Sequence, residues 1–223
     1  MNRRVLAEAV GTALLLYVIV GSGIAAETLA EDPGVQLFAH AMAVGLGLGA
    51  LIAMLQTVSG SHFNPSVTLA FWRTRSIAGV EATGYVAAQI IGAIAGAVAA
   101  NLSFETALVS ISTAKRGGLG VLFAEAVATF VLVLIILALV RTNRPAAIPI
   151  AVGAWVASAV FATSSTGFAN PAVTIARIFT DTYTGIAPAS APGFLIAQLI
   201  AGFAAAGLAI VFYPKPVQQQ APV

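Results

Sequence analysis

Six stretches of mostly apolar residues, each about 20 residues long, constrain this chain more than any other feature of its sequence. A helix of that length crosses the roughly 30 Å hydrocarbon core of a bilayer. Only 8% of the residues are charged, against about 25% in a soluble domain, so lipid must face much of the surface. The sequence predicts an all-α membrane protein whose six transmembrane helices lie at about 5–26, 36–58, 82–102, 119–141, 146–164 and 191–213.

The first apolar stretch follows two arginines and resembles the start of a signal peptide. It is interrupted by Glu8, however, and it lacks a clear cleavage site between small residues. We therefore interpret it as a retained transmembrane helix.

Two further apolar pieces, 64–73 and 170–179, are too short to cross a bilayer. Ten helical residues cover about 15 Å, which is half of the hydrocarbon thickness. One piece follows the second span and the other follows the fifth. We expect both to be re-entrant half-helices.

The basic residues indicate an orientation. With six spans, both termini share one side of the membrane with the 2–3 and 4–5 connections. That side carries seven of the ten basic residues and one acid, Glu81. By the positive-inside rule it faces the cytoplasm, which predicts a multi-pass protein of the cell (inner) membrane with cytoplasmic termini. The seven are Arg3, Arg4, Arg73, Arg75, Arg141, Arg144 and Lys215.

The chain contains an internal repeat. Residues 7–12 return as 124–129, and residues 64–70 return as 170–176. Each half holds three spans and one short piece, and because three is odd the second half is inverted. We predict one transmembrane channel domain over 1–223, with repeats at approximately 1–112 and 113–223.

Both short pieces begin with Asn-Pro, a strong helix start in which Asn caps the helix and Pro occupies its first turn. Two half-helices that enter from opposite faces meet N-terminus to N-terminus. Their positive ends oppose cations, including hydronium, while spare asparagine N–H groups can face an uncharged solute. The predicted pore centre comprises Asn64, Pro65, Ser66, Asn170, Pro171 and Ala172.

These motifs carry a resemblance. Residues 59–68 and 166–172 are similar to the two signature loops (NPA motifs) of the aquaporin and aquaglyceroporin, or major intrinsic protein, family. The resemblance implies a homotetramer with one pore per subunit, passive flux of small neutral solutes through the lipid bilayer, and neither cofactor nor metal. It also assigns Glu8 and Glu125 to bracing the loops, although carboxylates within a membrane can equally serve as proton relays.

The sequence departs from the family at three places. Ser66 stands where the family has alanine, the second loop is one residue shorter than in glycerol channels, and Val173 replaces the usual arginine of the outer constriction. Counting from the two asparagines places the selectivity filter on one residue from each contributing segment. These are Val44, Ser158 (or Ala159 if the missing residue shifts the count), Gly167 or Phe168, and Val173.

Without that arginine we expect a wider and more apolar mouth that passes glycerol, urea or metalloid hydroxides. Arsenous acid is a candidate because some bacterial relatives that lack the arginine are associated with arsenicals. Arg177, one helical turn after Val173, either reaches back toward the mouth or lies at the outer rim. His62 is expected in the cytoplasmic vestibule, and His40 is expected to be a packed or interfacial residue.

An ion-coupled secondary transporter is the main alternative, since transporters also use inverted repeats and broken helices. No metal-ligand spacing or nucleophilic triad predicts an enzyme, and no basic cluster indicates nucleic-acid binding. Several glycines on spans 2 and 3 predict close helix packing: Gly45, Gly47, Gly49, Gly92 and Gly96.

Overall fold

The computed structural model describes residues 2–214, so Lys215 and its predicted place on the basic side lie outside the described residues. Within this range six helices are long and apolar enough to cross a membrane, as predicted. In chain order the helices are α1 (Arg3–Leu29), α2 (Pro33–Ser59), α3 (Pro65–Arg73), α4 (Gly79–Ser103), α5 (Leu119–Arg141), α6 (Ile148–Ala162), α7 (Pro171–Ala176) and α8 (Ala191–Phe212). Short 3-10 turns, Pro145–Ala147 and Arg177–Phe179, precede α6 and follow α7.

The two half-helices begin as their sequences predict. The Asn64 side chain accepts a hydrogen bond from the N–H of Ser66. The Asn170 side chain accepts from the N–H groups of Ala172 and Val173. In both cases the proline occupies the first turn, where it has no hydrogen bond to lose.

Helix contacts follow the internal repeat. α1 packs on α4 as α5 packs on α8, and α1 packs on α2 as α5 packs on α6. The contact between α2 and α6 joins the two halves. This arrangement encloses α3 and α7, whose residues are almost all buried.

Glycines allow the closest of these contacts, as predicted. A Cβ added to Gly92 or Gly96 of α4 would overlap the carbonyl oxygens of Ala9 and Ala13 on α1. A Cβ on Gly45 of α2 would meet the carbonyl oxygen of Gly153 on α6, about 2.5 Å away and well inside van der Waals contact. Small residues thus bring the helix backbones together, as is common in membrane proteins.

The outer surface of the protein is apolar, unlike that of a soluble domain. Large apolar side chains such as Leu46, Ile91 and Phe123 are exposed on the outside. The interior is mostly apolar as well, but its fully buried side chains include Glu8 and Glu125. A lipid solvent requires an apolar outer surface and confines charged groups to the protein interior.

Candidate functional site

The N-termini of the two half-helices meet through a reciprocal pair of hydrogen bonds. The side-chain nitrogen of Asn64 donates to the carbonyl oxygen of Ala169 at 2.7 Å. That of Asn170 donates to the carbonyl oxygen of Phe63 at 2.8 Å. Each carboxamide nitrogen carries a second N–H, which has no partner among residues 2–214. Both asparagines line the central cavity, so these N–H groups are available to a solute there.

Glu8 holds the first loop. Its carboxylate accepts from the Ser59 hydroxyl (2.6 Å), the backbone N–H groups of His62 (3.0 Å) and Phe63 (2.7 Å), and the Gln89 amide (2.7 Å). Each carboxylate oxygen therefore accepts two hydrogen bonds. The loop that carries Asn64 is fixed to α1 and α4 by this one buried side chain.

Glu125 holds the second loop in the same way. Its carboxylate accepts from the backbone N–H groups of Phe168 and Ala169 and from the Gln198 amide. Gln198 also donates to Thr174 of α7, as Gln89 donates to Thr68 of α3. The sequence interpretation missed both glutamines, although polar residues inside apolar spans are a usable signal of such networks.

A narrow cavity of about 50 Å³ passes the two asparagines. On α2 it is lined by one residue from each of four successive turns, His40, Val44, Leu48 and Ile52. Twelve residues of helix correspond to about 18 Å, so the cavity extends over more than half of a bilayer core. On α6 its lining consists of Val152, Val156 and Val160.

The predicted filter residues divide into those that border the cavity and one that does not. Val44, Gly167, Phe168 and Val173 all line it. Ser158 is exposed, and its hydroxyl donates to the carbonyl oxygen of Ala154 in an outer groove between α2 and α6. Counting back from Asn170 was therefore wrong for α6.

The physical reason is the phase of α6. Residues spaced by four, Val152, Val156 and Val160, share one helix face, and position 158 lies roughly half a turn away from it. The alternative position, Ala159, is buried against Gly167 and does not line the cavity, so Val160 is the outermost α6 residue that does.

The second loop requires glycine at one position. Gly167 has φ +51°, in the left-handed region, and an added Cβ would lie 2.9 Å from the Cβ of Ala159. Because Gly167 and Phe168 both border the cavity, the loop contributes two residues to its wall.

Arg177 reaches back toward the mouth. Its side chain is buried, with 4% exposed, and lines the central cavity. The guanidinium carbon lies 3.4 Å from the centroid of the Phe168 ring, and Nε donates to the carbonyl oxygen of Thr184. Of the two alternatives for this residue, the rim position is wrong. The mouth therefore carries a fixed cation although position 173 is valine.

The two histidines lie toward opposite ends of the cavity. His62 is buried in the first loop, where Nδ1 is 3.1 Å from the Thr68 hydroxyl and the ring packs on Phe71. His40, expected to be a packed or interfacial residue, also lines the cavity. Its Nδ1 is 2.8 Å from the Ser22 hydroxyl. His40 lies four residues before Val44 on the same helix face, and this spacing could have predicted that it lines the cavity.

The chain is similar to a known protein family and to individual members of it. The family model "Major intrinsic protein" matches residues 1–169. Aquaglyceroporin AqpS of Rhizobium meliloti (strain 1021) is 43% identical over 208 residues, which cover 93% of this chain and 89% of that protein. Probable aquaporin AqpM of Archaeoglobus fulgidus is 32% identical over 173 residues. That match covers 65% of this chain and 68% of that protein.

Among solved structures, the aquaglyceroporin from Plasmodium falciparum superimposes with a TM-score of 0.72 at 20% sequence identity. The match covers 97% of this chain and 96% of that chain. At this identity the likeness establishes the fold, which is the predicted arrangement of six spans and two half-helices.

Proposed function

This chain belongs to the major intrinsic protein family and is a passive channel for water and small uncharged solutes, and we propose that glycerol, urea and arsenous acid are among those solutes. The family is one of channels and not of enzymes. The relatives reported above are aquaporins and aquaglyceroporins, which gives the ion-coupled transporter no support.

The observation that carries the proposal is the mixed polarity of the cavity lining. Four valines, one leucine and one isoleucine of α2 and α6 form an apolar wall. The donors of Asn64, Asn170 and Arg177 also face the cavity. Glycerol and arsenous acid are uncharged at neutral pH and combine hydroxyl groups with less polar surface. A lining of this kind can desolvate such solutes because it replaces some of their hydrogen bonds.

Cations are opposed at two levels. The N-termini of α3 and α7 direct partial positive charge at the pore centre, next to Asn64 and Asn170. Arg177 adds a full positive charge at the mouth. A hydrated cation meets repulsion at both levels and finds no carboxylate among the cavity-lining side chains of residues 2–214.

The remaining roles are also part of the proposal. Glu8 and Glu125 brace the two loops, because their oxygens are already occupied by donors that a proton relay would need to release. His62 lines the cytoplasmic vestibule. The protein forms a homotetramer in the inner membrane with both termini in the cytoplasm, and its repeats divide near residue 112. Mass measurement of the solubilised oligomer and labelling of single cysteines at each face test these last points.

The solute range is tested with purified protein in liposomes. Stopped-flow light scattering measures water, glycerol, urea and arsenous acid permeability, with empty liposomes as the blank. We expect all four to pass faster than through lipid, without saturation and without dependence on a proton gradient. Rapid water flux with all three solutes excluded would show that the pore is selective for water. Asn170→Asp, which places a negative charge at the centre, is expected to lower the barrier to cations.

A further inference from the structure

A second cavity, the outer chamber, lies directly outside the mouth of the pore. It has a volume of about 200 Å³, four times that of the central cavity. It shares His40, Thr166 and Arg177 with the central cavity. The two cavities therefore adjoin at the mouth of the pore. Its remaining lining residues are Leu37, Arg116 and Tyr183.

Two arginines of the outer chamber pack against the same aromatic ring. The guanidinium carbons of Arg177 and Arg116 are 3.4 and 5.3 Å from the centroid of the same Phe168 ring, within the range of cation–π contact. Arg116 donates through Nε to the carbonyl oxygen of Gly185 (2.8 Å) and through Nη2 to that of Tyr183 (3.2 Å). Carbonyl acceptors orient the two side chains but leave their charge unneutralised.

Within residues 2–214 neither guanidinium forms an ion pair, since the salt bridge found there joins Arg4 and Glu81. Both terminal nitrogens of Arg177 and Nη1 of Arg116 also lack a protein acceptor in this range. The carboxylate of Glu125 is already occupied by Phe168, Ala169 and Gln198. Burial raises the pKa of the Tyr183 phenol, so this group stays neutral and adds no negative charge.

We propose that the outer chamber binds a small oxyanion of the phosphate or sulfate class, and that the bound ion obstructs the pore from the outside. Guanidinium groups recognise oxyanions through paired hydrogen bonds, and the free terminal nitrogens supply them. An unpaired, largely buried cation is costly, and binding an anion offsets that cost. The inference depends on the proposed pore in one respect. The bound ion can obstruct flux only if solutes pass through the outer chamber.

The ion is expected to stop at the mouth and not to permeate. Between Arg177 and the pore centre, the narrow part of the cavity (the throat) is lined by Val44, Val160 and Val173. Their side chains donate no hydrogen bond. An anion would have to lose most of its water there without replacement, and desolvation of a charge is expensive. A neutral solute does not face that cost and can enter the throat. The oxyanion stays at the mouth, where it blocks the pore.

The test measures water permeability of the full-length protein in liposomes. Sodium phosphate is compared with sodium chloride at matched osmolarity and ionic strength, and it is present on both sides so that every outer chamber is exposed. We expect permeability to fall saturably as phosphate is raised, and sulfate to act in the same way. Permeability that is the same in phosphate and chloride at every concentration would overturn the proposal.

Variants locate the effect. Arg116→Gln removes one guanidinium and is expected to abolish the phosphate effect, measured as the ratio of permeability in phosphate to that in chloride. Lys115→Gln is the matched control, because Lys115 is the exposed neighbour on the same loop and does not line the chamber. Equal block in Arg116→Gln and the unmodified protein would refute the site.

Arg116 also fixes two loop carbonyls, so Arg116→Gln can fail to fold. Arg116→Lys then keeps the charge and removes the forked donor, and calorimetric titration of phosphate into the solubilised protein should give a weaker affinity. An unchanged affinity would overturn recognition by paired hydrogen bonds. Water permeability in chloride and the solute panel test the channel separately, so a missing phosphate effect in an active channel refutes this site alone.

Discussion

Replacing Glu8 by glutamine tests whether one carboxylate holds the first pore loop. The variant keeps the size of the side chain but turns one of its two oxygens into an NH2 group. Whichever oxygen is replaced, a backbone N–H of His62 or Phe63 loses its acceptor. The Ser59 hydroxyl can rotate to accept from the new amide, but a backbone N–H has no such freedom.

The cost follows from these hydrogen bonds. A buried donor left without an acceptor costs about 1–3 kcal/mol, and each hydrogen bond that loses a charged partner weakens by about 1 kcal/mol. We expect a loss of about 3 kcal/mol in the free energy of unfolding. For a chain of this length that corresponds to a melting temperature lower by about 6–12 °C.

The measurement is thermal unfolding in detergent, followed by tryptophan fluorescence, together with water permeability per reconstituted protein. Glu81→Gln is the control, because it breaks the partly exposed ion pair with Arg4, worth about 0–1 kcal/mol. Glu8→Gln should melt well below Glu81→Gln and conduct less water. If the two variants have the same melting temperature, Glu8 does not brace the loop, and its hydrogen bonds to the loop do not stabilise the fold.

Three further predictions follow from the geometry. Val173→Arg places a second cation beside the cavity and is expected to reduce glycerol flux more than water flux; an unchanged solute range would show that residue 173 is not at the constriction. Gly96→Ala drives a methyl group into the α1 backbone and should cost about 1–3 kcal/mol, read as a lower melting temperature than for Gly207→Ala, whose added Cβ has open space. Val160→Asn should alter glycerol permeability and Ser158→Asn should not, so equal effects in the solute assay would contradict the assignment of the α6 pore face.

The features that the sequence predicted well each have a local physical cause. Asn64 and Asn170 were identified as half-helix starts because capping depends on adjacent residues. The glycine contacts on α4 followed from small residues at helical spacing. Glu8 and Glu125 stood out because they are carboxylates inside apolar spans, whereas their assignment to bracing the loops came from the family resemblance.

The features that were missed depend on how segments are aligned in space. α6 is apolar on every face, so its periodicity does not reveal which side meets the pore, and Ser158 was chosen by counting. For Arg177 the one-turn spacing from Val173 allowed two positions, at the mouth or at the rim. The choice between them depends on the Thr184 carbonyl and the Phe168 ring, which lie outside α7.

The hydrogen bond from the Asn64 side chain to the Ala169 carbonyl also has a consequence for biogenesis. The two residues are separated by 105 positions, and ribosomes add about 5–20 residues per second. The first half-helix therefore waits about 5–20 seconds in the membrane for its acceptor. During that interval the Asn64 amide must be satisfied by water or by the insertion machinery. A ribosome that stalls between the halves would leave a polar helix end inside the bilayer without the protein acceptor that the finished channel provides.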